Sequence, residues 1–368
     1  MNNFIFVIND LDFLISHRGN LVEELIKKNF SINVIYEKGT QNSVKYFVQR
    51  KIKITKIEKS FFFLNFLYYF FRLFLILRKN RPEYVCLITL KPVIFGGIAC
   101  KFSNIKRVIS ILSGLGYLFT NPRNKPIQVF IRQLLKASFS NSSQRIILQN
   151  HDDLDLILQV SPRSKNNIRL MLGSGVDLKV FKPKKENKEL IVLMVSRILK
   201  DKGVIEFIDS ARLVRKNNPK IKFIIAGDFY EKNPTSISRK ELNKINFDNI
   251  IEHVGYVKDI YSLYCNSSVV VLPSYREGFP KTLIEAAACG KPIVTTNVPG
   301  CKEAIIPNIT GFLVEPRNAR ELADAITKLL ENDDLRKSMG IEGRKLAEKN
   351  FSIVDTTNEY IKIISEMN

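Results

Sequence analysis

The chain has 368 residues, 45% hydrophobic and 25% charged, a balance typical of a globular protein long enough for two domains. Five cysteines without CxxC spacing and only three histidines argue against a zinc site, a disulfide framework or a His-rich metal centre. The net charge of +21 lies mostly in residues 1–180, which hold 27 Lys and Arg against 11 Asp and Glu, whereas residues 181–368 hold 30 against 25. A generally lysine-rich composition would not explain this asymmetry, which predicts an anionic partner for the first half: nucleic acid, a membrane surface or a diphosphate.

Short β-branched runs alternate with helical patterns along the chain, which predicts α/β domains with parallel sheets. The predicted strands are residues 4–8, 32–36, 84–89, 107–111 and 145–149 in the first half, and 190–196, 222–226, 250–254, 269–273, 292–295 and 311–314 in the second. No secretion signal precedes the first strand, so we expect a cytoplasmic protein. The lysine-rich segment 181–190 is the predicted linker.

Residues 61–77, FFFLNFLYYFFRLFLIL, are apolar or aromatic except for Asn65 and Arg72. As a helix they would extend about 25 Å, short of the roughly 30 Å core of a bilayer, so we do not expect a membrane span. The residues expected to face the sheet are Leu64, Leu67, Phe71, Phe74 and Leu77, which leaves Phe62, Tyr69, Phe70 and Leu73 for other faces. Two interpretations stay open: a core helix covered by its neighbours, or an interfacial helix on anionic lipid. Residues 38–145 hold 20 basic and two acidic residues, which favours the second.

Neither half contains GxGxxG or a Walker GxxxxGK[ST] motif, so NAD, FAD and P-loop ATP chemistry are not expected. Instead, the strand at 190–196 is followed by SRILKDKG. Arg197 leaves the strand end, and Lys202 stands just before Gly203 and an amphipathic helix. Two cations beside a helix N-terminus could hold a diphosphate, although exposed cations are too common for this pattern to be specific.

The most informative segment is VVVLPSYREGFPKTLIEAAACGKPIVTT, residues 269–296. A buried strand ends near Pro273, and a helix begins near Pro280, so the amides of Gly278 and Phe279 are expected at the helix start, where they favour electronegative ligand atoms. Glu277 precedes that helix, and Glu285 follows eight residues later within an apolar, alanine-rich stretch. Two carboxylates at this spacing could accept hydrogen bonds from hydroxyls at the two ends of a polyhydroxylated ligand.

Six segments, in their order and spacing, closely resemble retaining glycosyltransferases of family 4, which have the GT-B fold of two Rossmann-like α/β domains facing across a cleft. They are SRILKDKG, AGDF, HVGYV, LPSYREGFPKTLIEAAACGKPIV, PGCKEAI and TGFLVEP, and the resemblance extends over residues 170–350. Glu277 and Glu285 form the E-x7-E pattern of the family. The resemblance implies an acceptor-binding, membrane-facing domain at 1–182 and a nucleotide-sugar-binding domain at 183–368, and leaves open whether the last helix packs on the first domain.

The resemblance also implies donor-site roles. Arg197 and Lys202 match the pair that neutralises the donor diphosphate. Glu277, with Gly278, Phe279 and Pro280, matches the element that holds the donor sugar, and Glu285 matches the carboxylate that binds ribose. Gly255 and Tyr256 match the base-binding loop more loosely. The catalytic assignments are Glu277, Arg197 and Lys202, with Glu277 as an orienting group rather than a covalent nucleophile. No cofactor or metal is expected, and the DLD triplets at 10–12 and 153–155 are attributed to chance.

On the acceptor side, NDLDFLISHRG resembles the first-strand region of bacterial transferases that extend undecaprenyl-diphosphate-linked sugars. His17 and Arg18 are expected to face the cleft from a helix N-terminus, with a structural role for His17 as the alternative. The segment ILSGLGYLF resembles a loop closing over the donor, with Gly114 and Leu115 at a position where many relatives carry His.

Together these features predict a retaining glycosyltransferase that moves a hexose or N-acetylhexosamine from a UDP-sugar to a polyprenyl-diphosphate-linked saccharide. We expect it to be peripherally attached to the inner face of the membrane and to bind no nucleic acid. The alternatives are a GT-B UDP-sugar epimerase, which would lack this E-x7-E arrangement, and a basic nucleic-acid-binding protein, for which no recognition motif appears.

Overall fold

The computed structural model describes residues 2–58, 65–116, 119, 125–140, 143–184, 189–230, 233–244 and 247–367. By its internal contacts the chain divides into two compact units, Met1–Ser174 together with Val354–Asn368, and Gly175–Ile353. The sequence placed the division at residues 182 and 183. Each unit is a parallel α/β structure, which confirms the predicted fold class.

The first unit is built on a parallel sheet in the order β3-β2-β1-β4-β5-β6-β7. Its strands are β1 (Asn3–Asp10), β2 (Ser31–Lys38), β3 (Lys53–Lys56), β4 (Tyr84–Ile88), β5 (Arg107–Leu112), β6 (Arg145–Leu148) and β7 (Ile168–Leu170). The helices of this unit that precede the second unit in the chain are α1 (Leu11–Lys27), α2 (Gln41–Gln49), α3 (Asn65–Asn80), α4 (Leu90–Phe102), α5 (Lys125–Ser138) and α6 (His151–Val160).

The second unit contains a parallel sheet in the order β10-β9-β8-β11-β12-β13. Its strands are β8 (Ile191–Val195), β9 (Lys222–Ala226), β10 (Glu252–Gly255), β11 (Val269–Leu272), β12 (Ile293–Thr296) and β13 (Gly311–Val314). Its helices are α7 (Val204–Asn217), α8 (Arg239–Asn243), α9 (Phe247–Ile250), α10 (Ile260–Asn266), α11 (Lys281–Ala288), α12 (Ala319–Leu330) and α13 (Asp333–Asn350). The final helix, α14 (Ile353–Ser365), returns to the first unit.

Apolar side chains cover both faces of the first sheet, as a parallel sheet requires. On one face α3 to α6 pack through residues such as Tyr69, Leu73 and Leu135. On the other face α1, α2 and α14 pack, and Tyr360, Ile363 and Ile364 of α14 belong to that core. The last helix is therefore an integral part of the first unit.

The predicted helix in the aromatic stretch is present as α3, and Leu77 is buried as predicted, but most of the predicted orientation is wrong. Tyr69 and Leu73, expected on other faces, are buried, whereas Leu67 and Phe71, expected to face the sheet, are exposed. Both stripes are apolar and both repeat at helical spacing, so periodicity could not distinguish the face that packs from the face that does not. The predictions for Phe62 and Leu64 fall outside the described residues. Within the part of the chain that is described, no helix is both long and apolar enough to cross a membrane.

Candidate functional site

The donor-site residues predicted from the sequence include four at the carboxyl ends of three strands in the second sheet. Arg197 and Lys202 follow β8, Gly255 ends β10, and Glu277 follows β11. Since the strands are parallel, these ends meet at one edge of the sheet, which is where open α/β sheets bind ligands.

Lys202 and Glu277 form an ion pair at this edge, although 75 residues separate them in the chain. Both side chains are largely shielded, with 19% and 12% of their surfaces exposed. Ser274 donates a second hydrogen bond, of 2.7 Å, to Oε1 of Glu277. Two donors, Lys202 and Ser274, therefore hold the carboxylate of Glu277 in place.

Close backbone contacts bring the Lys202 turn against the loop after β11. Gly203 has a φ of 73°, and a Cβ atom there would lie 2.1 Å from the carbonyl oxygen of Pro273. The amide of Tyr275 donates to the carbonyl of Asp201 at 2.9 Å. Glycine at position 203 therefore allows both the left-handed backbone and the approach that lets Lys202 reach Glu277.

A second glycine supports the backbone of Glu277 from the other side. Gly300 has a φ of 82°, and a Cβ atom there would lie 2.7 Å from the carbonyl oxygen of Glu277 and 2.6 Å from that of Gly278. The amide of Glu277 donates to the carbonyl of Pro299 at 3.0 Å, and the carboxylate of Glu303 accepts from the amide of Gly300 at 2.8 Å. Glu303 therefore acts on the loop that holds Glu277, a role that the Pro-Gly turn signal could have indicated.

The residues after Glu277 lead into helix α11. Pro280 is the residue before its first turn, with a φ of −76°, as predicted for a proline at a helix start. The ring of Phe279 is buried and packs edge-on against Phe351, with centroids 5.5 Å apart. Any contribution of Phe279 to a ligand site would therefore come from its backbone.

Glu285 lies within α11 and is almost completely buried. The hydroxyl of Tyr264 donates to its Oε2 at 3.0 Å, and Nζ of Lys281 lies 3.5 Å from its Oε1. Burial raises the pKa of Glu285, and the ion pair with Lys281 and the Tyr264 hydrogen bond partly offset this rise. The buried carboxylate thus has specific polar partners, and the sequence analysis named neither Tyr264 nor Lys281.

Arg197, Gly255 and Tyr256 lie near the ends of β8, β9 and β10. The guanidinium of Arg197 is 5.0 Å from the ring centroid of Tyr230, and its side chain is exposed. Gly255 has a φ of 64°, its carbonyl accepts from the amide of Gly227 at 2.7 Å, and Tyr256 is 77% exposed. Asp228, whose carboxylate accepts from the Tyr256 amide at 3.0 Å, was missed, although the segment AGDF contains it.

The acceptor-side residues belong to the first unit, and their predicted position at a helix N-terminus is wrong. His17 and Arg18 lie in the middle of α1, because the helix begins at Leu11, capped by Asp10. The ring of His17 stacks on that of Phe13, with centroids 3.9 Å apart. Its Nδ1 forms a hydrogen bond of 2.8 Å with Oγ of Ser16. Arg18 is only 2% exposed and lies 5.1 Å from the ring centroid of Tyr360. Their role towards an acceptor remains a prediction.

Gly114 and Leu115 follow β5 at the carboxyl edge of the first sheet, where they line a cavity with Asn9 and Thr89. Thr89 has a φ of 76° and a ψ of 164°, a region almost restricted to glycine. Such a conformation costs about 1–3 kcal/mol in a β-branched residue and is typical of functional sites. The side chain of Asn9 donates to the Thr89 hydroxyl at 3.1 Å.

The aspartates of the first DLD triplet support the fold. Asp10 caps α1, accepting from the amide of Asp12, and forms an ion pair of 2.9 Å with Lys38. Asp12 accepts from the amide and hydroxyl of Thr40. Among the residues with described positions, no group of three or more His, Cys, Asp or Glu side chains could hold a metal ion.

Comparisons with known proteins agree with this architecture. The family model described as Glycosyl transferases group 1 matches residues 176–346, and the one described as Glycosyl transferase 4-like matches residues 6–150. The chain is 32% identical over 286 residues, 73% of either chain, to N,N'-diacetylbacillosaminyl-diphospho-undecaprenol alpha-1,3-N-acetylgalactosaminyltransferase of Campylobacter jejuni. It is 24% identical over 372 residues, 94% of this chain and 91% of the other, to UDP-Gal:alpha-D-GlcNAc-diphosphoundecaprenol alpha-1,3-galactosyltransferase of Escherichia coli.

Among solved structures, the chain resembles Alr3699/HepE of Anabaena, crystallised in complex with UDP, with a TM-score of 0.74 and 16% identity over 100% of both chains. At this identity the likeness concerns the fold. The fold, the motif-bearing strand ends and the two family matches lead to one assignment: the chain belongs to the group 1, family 4 glycosyltransferases and has their GT-B fold.

Proposed function

We propose that the protein is a retaining glycosyltransferase that moves a hexose or N-acetylhexosamine from a UDP-sugar to a polyprenyl-diphosphate-linked saccharide in surface glycan assembly. The observation that carries the proposal is the Lys202–Glu277 ion pair at the carboxyl edge of the second sheet. The names of the relatives support the acceptor class, since two of them act on sugars joined to diphosphoundecaprenol. The UDP complex of the structural neighbour supports the donor class.

In the proposed mechanism, cleavage of the sugar–phosphate bond builds negative charge on the departing UDP. Lys202 and Arg197 stabilise that charge where it develops, so no metal ion is needed for it. Glu277, fixed by Lys202 and Ser274, accepts hydrogen bonds from donor-sugar hydroxyls and orients the ring. The carboxylate of Glu285 accepts hydrogen bonds from the hydroxyls of the ribose. The acceptor hydroxyl attacks the anomeric carbon from the face that the phosphate leaves, and its proton passes to the departing phosphate oxygen.

The donor proposal predicts that a UDP-sugar stabilises the protein more than a GDP- or dTDP-sugar does. At a concentration one hundred times its Kd, a ligand adds about 2.7 kcal/mol to the free energy of unfolding. This corresponds to a rise of several degrees in Tm for a domain of the second unit's size. A thermal-shift screen of UDP-, GDP- and dTDP-sugars measures it, followed by transfer assays with the best donor. A chain stabilised by no nucleotide sugar would contradict the proposal.

We further propose that α3 attaches the protein to the inner face of the membrane. Four large apolar side chains of this helix are exposed, namely Phe66, Leu67, Phe71 and Leu75. Arg72, Arg78 and Lys79 are exposed on the same helix. An exposed apolar stripe beside cations is what an interfacial helix offers to anionic lipid.

Replacing Phe71 and Leu75 together by Ser should release the protein from liposomes that contain phosphatidylglycerol. Both side chains are more than half exposed, so their loss should leave the fold intact. Co-sedimentation measures the bound fraction. The control is Ile341→Ser, which removes an equally exposed apolar side chain from α13 in the second unit. Equal sedimentation of the double variant and the control would contradict attachment through α3.

A further inference from the structure

The first unit contains an apolar cavity of about 790 Å³ between α3, α4 and α5, here called the α3–α5 cavity. Its lining includes Phe66, Leu67, Ile94, Phe95, Phe130 and Leu134. The ring of Phe66 stacks on that of Phe95, with centroids 5.5 Å apart. The volume is in the range of pockets that bury a small organic ligand, and the lining favours a hydrocarbon.

The polar groups of the α3–α5 cavity are gathered at one end. Asn9, Thr89 and Gly114 lie there, where β1, β4 and β5 finish. Oδ1 of Asn9 is buried, and among the described residues it has no hydrogen-bond partner. The charged group in the lining is Lys91, which forms an ion pair with Glu37 and lies 4.1 Å from the ring centroid of Tyr69. Its charge is thus already compensated, so a free sugar or a nucleotide would find few partners along the cavity walls.

The side chains of Leu67 and Phe130 line the cavity and are 56% and 63% exposed. Leu67 lies on α3, where the exposed stripe continues through Phe71 and Leu75. The cavity therefore extends from the carboxyl edge of the sheet to the apolar surface that we propose lies on the membrane.

We infer that the α3–α5 cavity binds the isoprenoid units nearest the diphosphate of the acceptor lipid. The inference rests on the proposed function. An acceptor bound to the first unit must present its sugar hydroxyl at the carboxyl edge of the first sheet while its hydrocarbon chain remains in the bilayer. The first units of that chain must therefore pass between these two places, and the cavity joins them. A phospholipid is not a substrate, so no part of it has to reach the sheet edge. Its acyl chains therefore have no reason to leave the bilayer and enter the cavity.

The test uses the full-length protein in detergent micelles, without a membrane, and a diazirine-bearing farnesyl diphosphate as the photoprobe. We expect mass spectrometry to find the label on peptides of α3, α4 or α5. Unlabelled farnesyl diphosphate should suppress labelling at lower concentration than phosphatidylglycerol, and inorganic pyrophosphate should leave it unchanged. Label confined to other elements would overturn the inference. The inference would also be overturned if phosphatidylglycerol suppressed labelling as strongly as unlabelled farnesyl diphosphate does. Suppression of labelling by inorganic pyrophosphate would overturn it as well.

Two matched variants assign the label to the cavity. Leu67→Asp puts a carboxylate at the exposed side of the lining, where a bound hydrocarbon would remove its water without replacing the hydrogen bonds, and should lower labelling about tenfold or more. Leu75→Asp changes the same residue type on the same helix, with 57% exposure and a position outside the lining, and should label like the parent protein. Equal labelling of the two variants would overturn the inference.

A separate measurement distinguishes failure of this inference from failure of the proposed function. UDP-sugar binding to the second unit does not depend on the cavity, so both variants should retain the parent's thermal shift with a UDP-sugar. A protein that binds UDP-sugar and transfers to a lipid-linked acceptor, but is not labelled in α3 to α5, contradicts only the cavity inference. A protein without UDP-sugar binding contradicts the proposed function.

Discussion

Replacing Lys202 by Ala is expected to lower the rate of sugar transfer about 10²–10³-fold, the usual effect of removing one group that stabilises developing charge. The ammonium of Lys202 is shielded and fixed by Glu277, so little reorganisation is needed when the diphosphate departs. The variant should remain folded, because Glu277 keeps its hydrogen bond from Ser274. Initial rates with saturating UDP-sugar, together with far-UV circular dichroism, measure both effects.

The matched control is Lys200→Ala. Lys200 belongs to the same short helical turn and also forms an ion pair, with Glu241 at 3.1 Å. Both side chains of this pair are about half exposed. Exposed pairs contribute about 0–1 kcal/mol, so we expect this variant to transfer sugar at nearly the parent rate. Similar rates in the Lys202 and Lys200 variants would remove Lys202 from the donor site.

Replacing Glu277 by Gln is expected to separate sugar orientation from diphosphate binding. Glutamine keeps the size and one acceptor oxygen but loses the charge that pairs with Lys202. We expect the transfer rate to fall about 10²-fold, because the sugar hydroxyls lose a charged acceptor. The affinity for UDP without a sugar should stay the same or increase, because Lys202 is then available to the phosphates. Calorimetric titration with UDP and with UDP-sugar measures the difference.

Glu241→Gln is the control for this change, since it removes the carboxylate of the exposed pair while leaving the strand ends intact. It should alter neither UDP affinity nor transfer. A Glu277→Gln variant with weaker UDP binding and an unchanged rate would reverse the roles proposed for the two partners.

The sheet strands of both units were largely predictable, because buried parallel strands appear as short β-branched runs. All eleven predicted strands have counterparts in the structure. The two missed strands, β3 and β7, lie at the edges of the first sheet. The sequence of β3 is KITK, and lysines at an edge strand hide the apolar pattern while they protect the edge from unwanted pairing.

The sequence analysis named Lys202 and Glu277 but not the contacts that bring them together. Lys202 and Glu277 were both assigned to the donor, yet their ion pair depends on Gly203 and Gly300, whose close backbone contacts have no local signature. Tyr264 approaches Glu285 from α10, and no periodic pattern relates two residues on separate helices. Arg18 was expected to face the cleft from a helix N-terminus, whereas it is buried within α1 beside Tyr360 from the far end of the chain.

Because α14 completes the core of the first unit, the second unit is inserted within the first rather than appended to it. The chain up to residue 353 contains the whole second unit but a first unit without Tyr360, Ile363 and Ile364. The first unit thus cannot complete its core until the whole second unit has been synthesised. A single cut between Ser174 and Gly175 would consequently yield one fragment that lacks the core helix α14 and another that carries α14 without the core against which it packs.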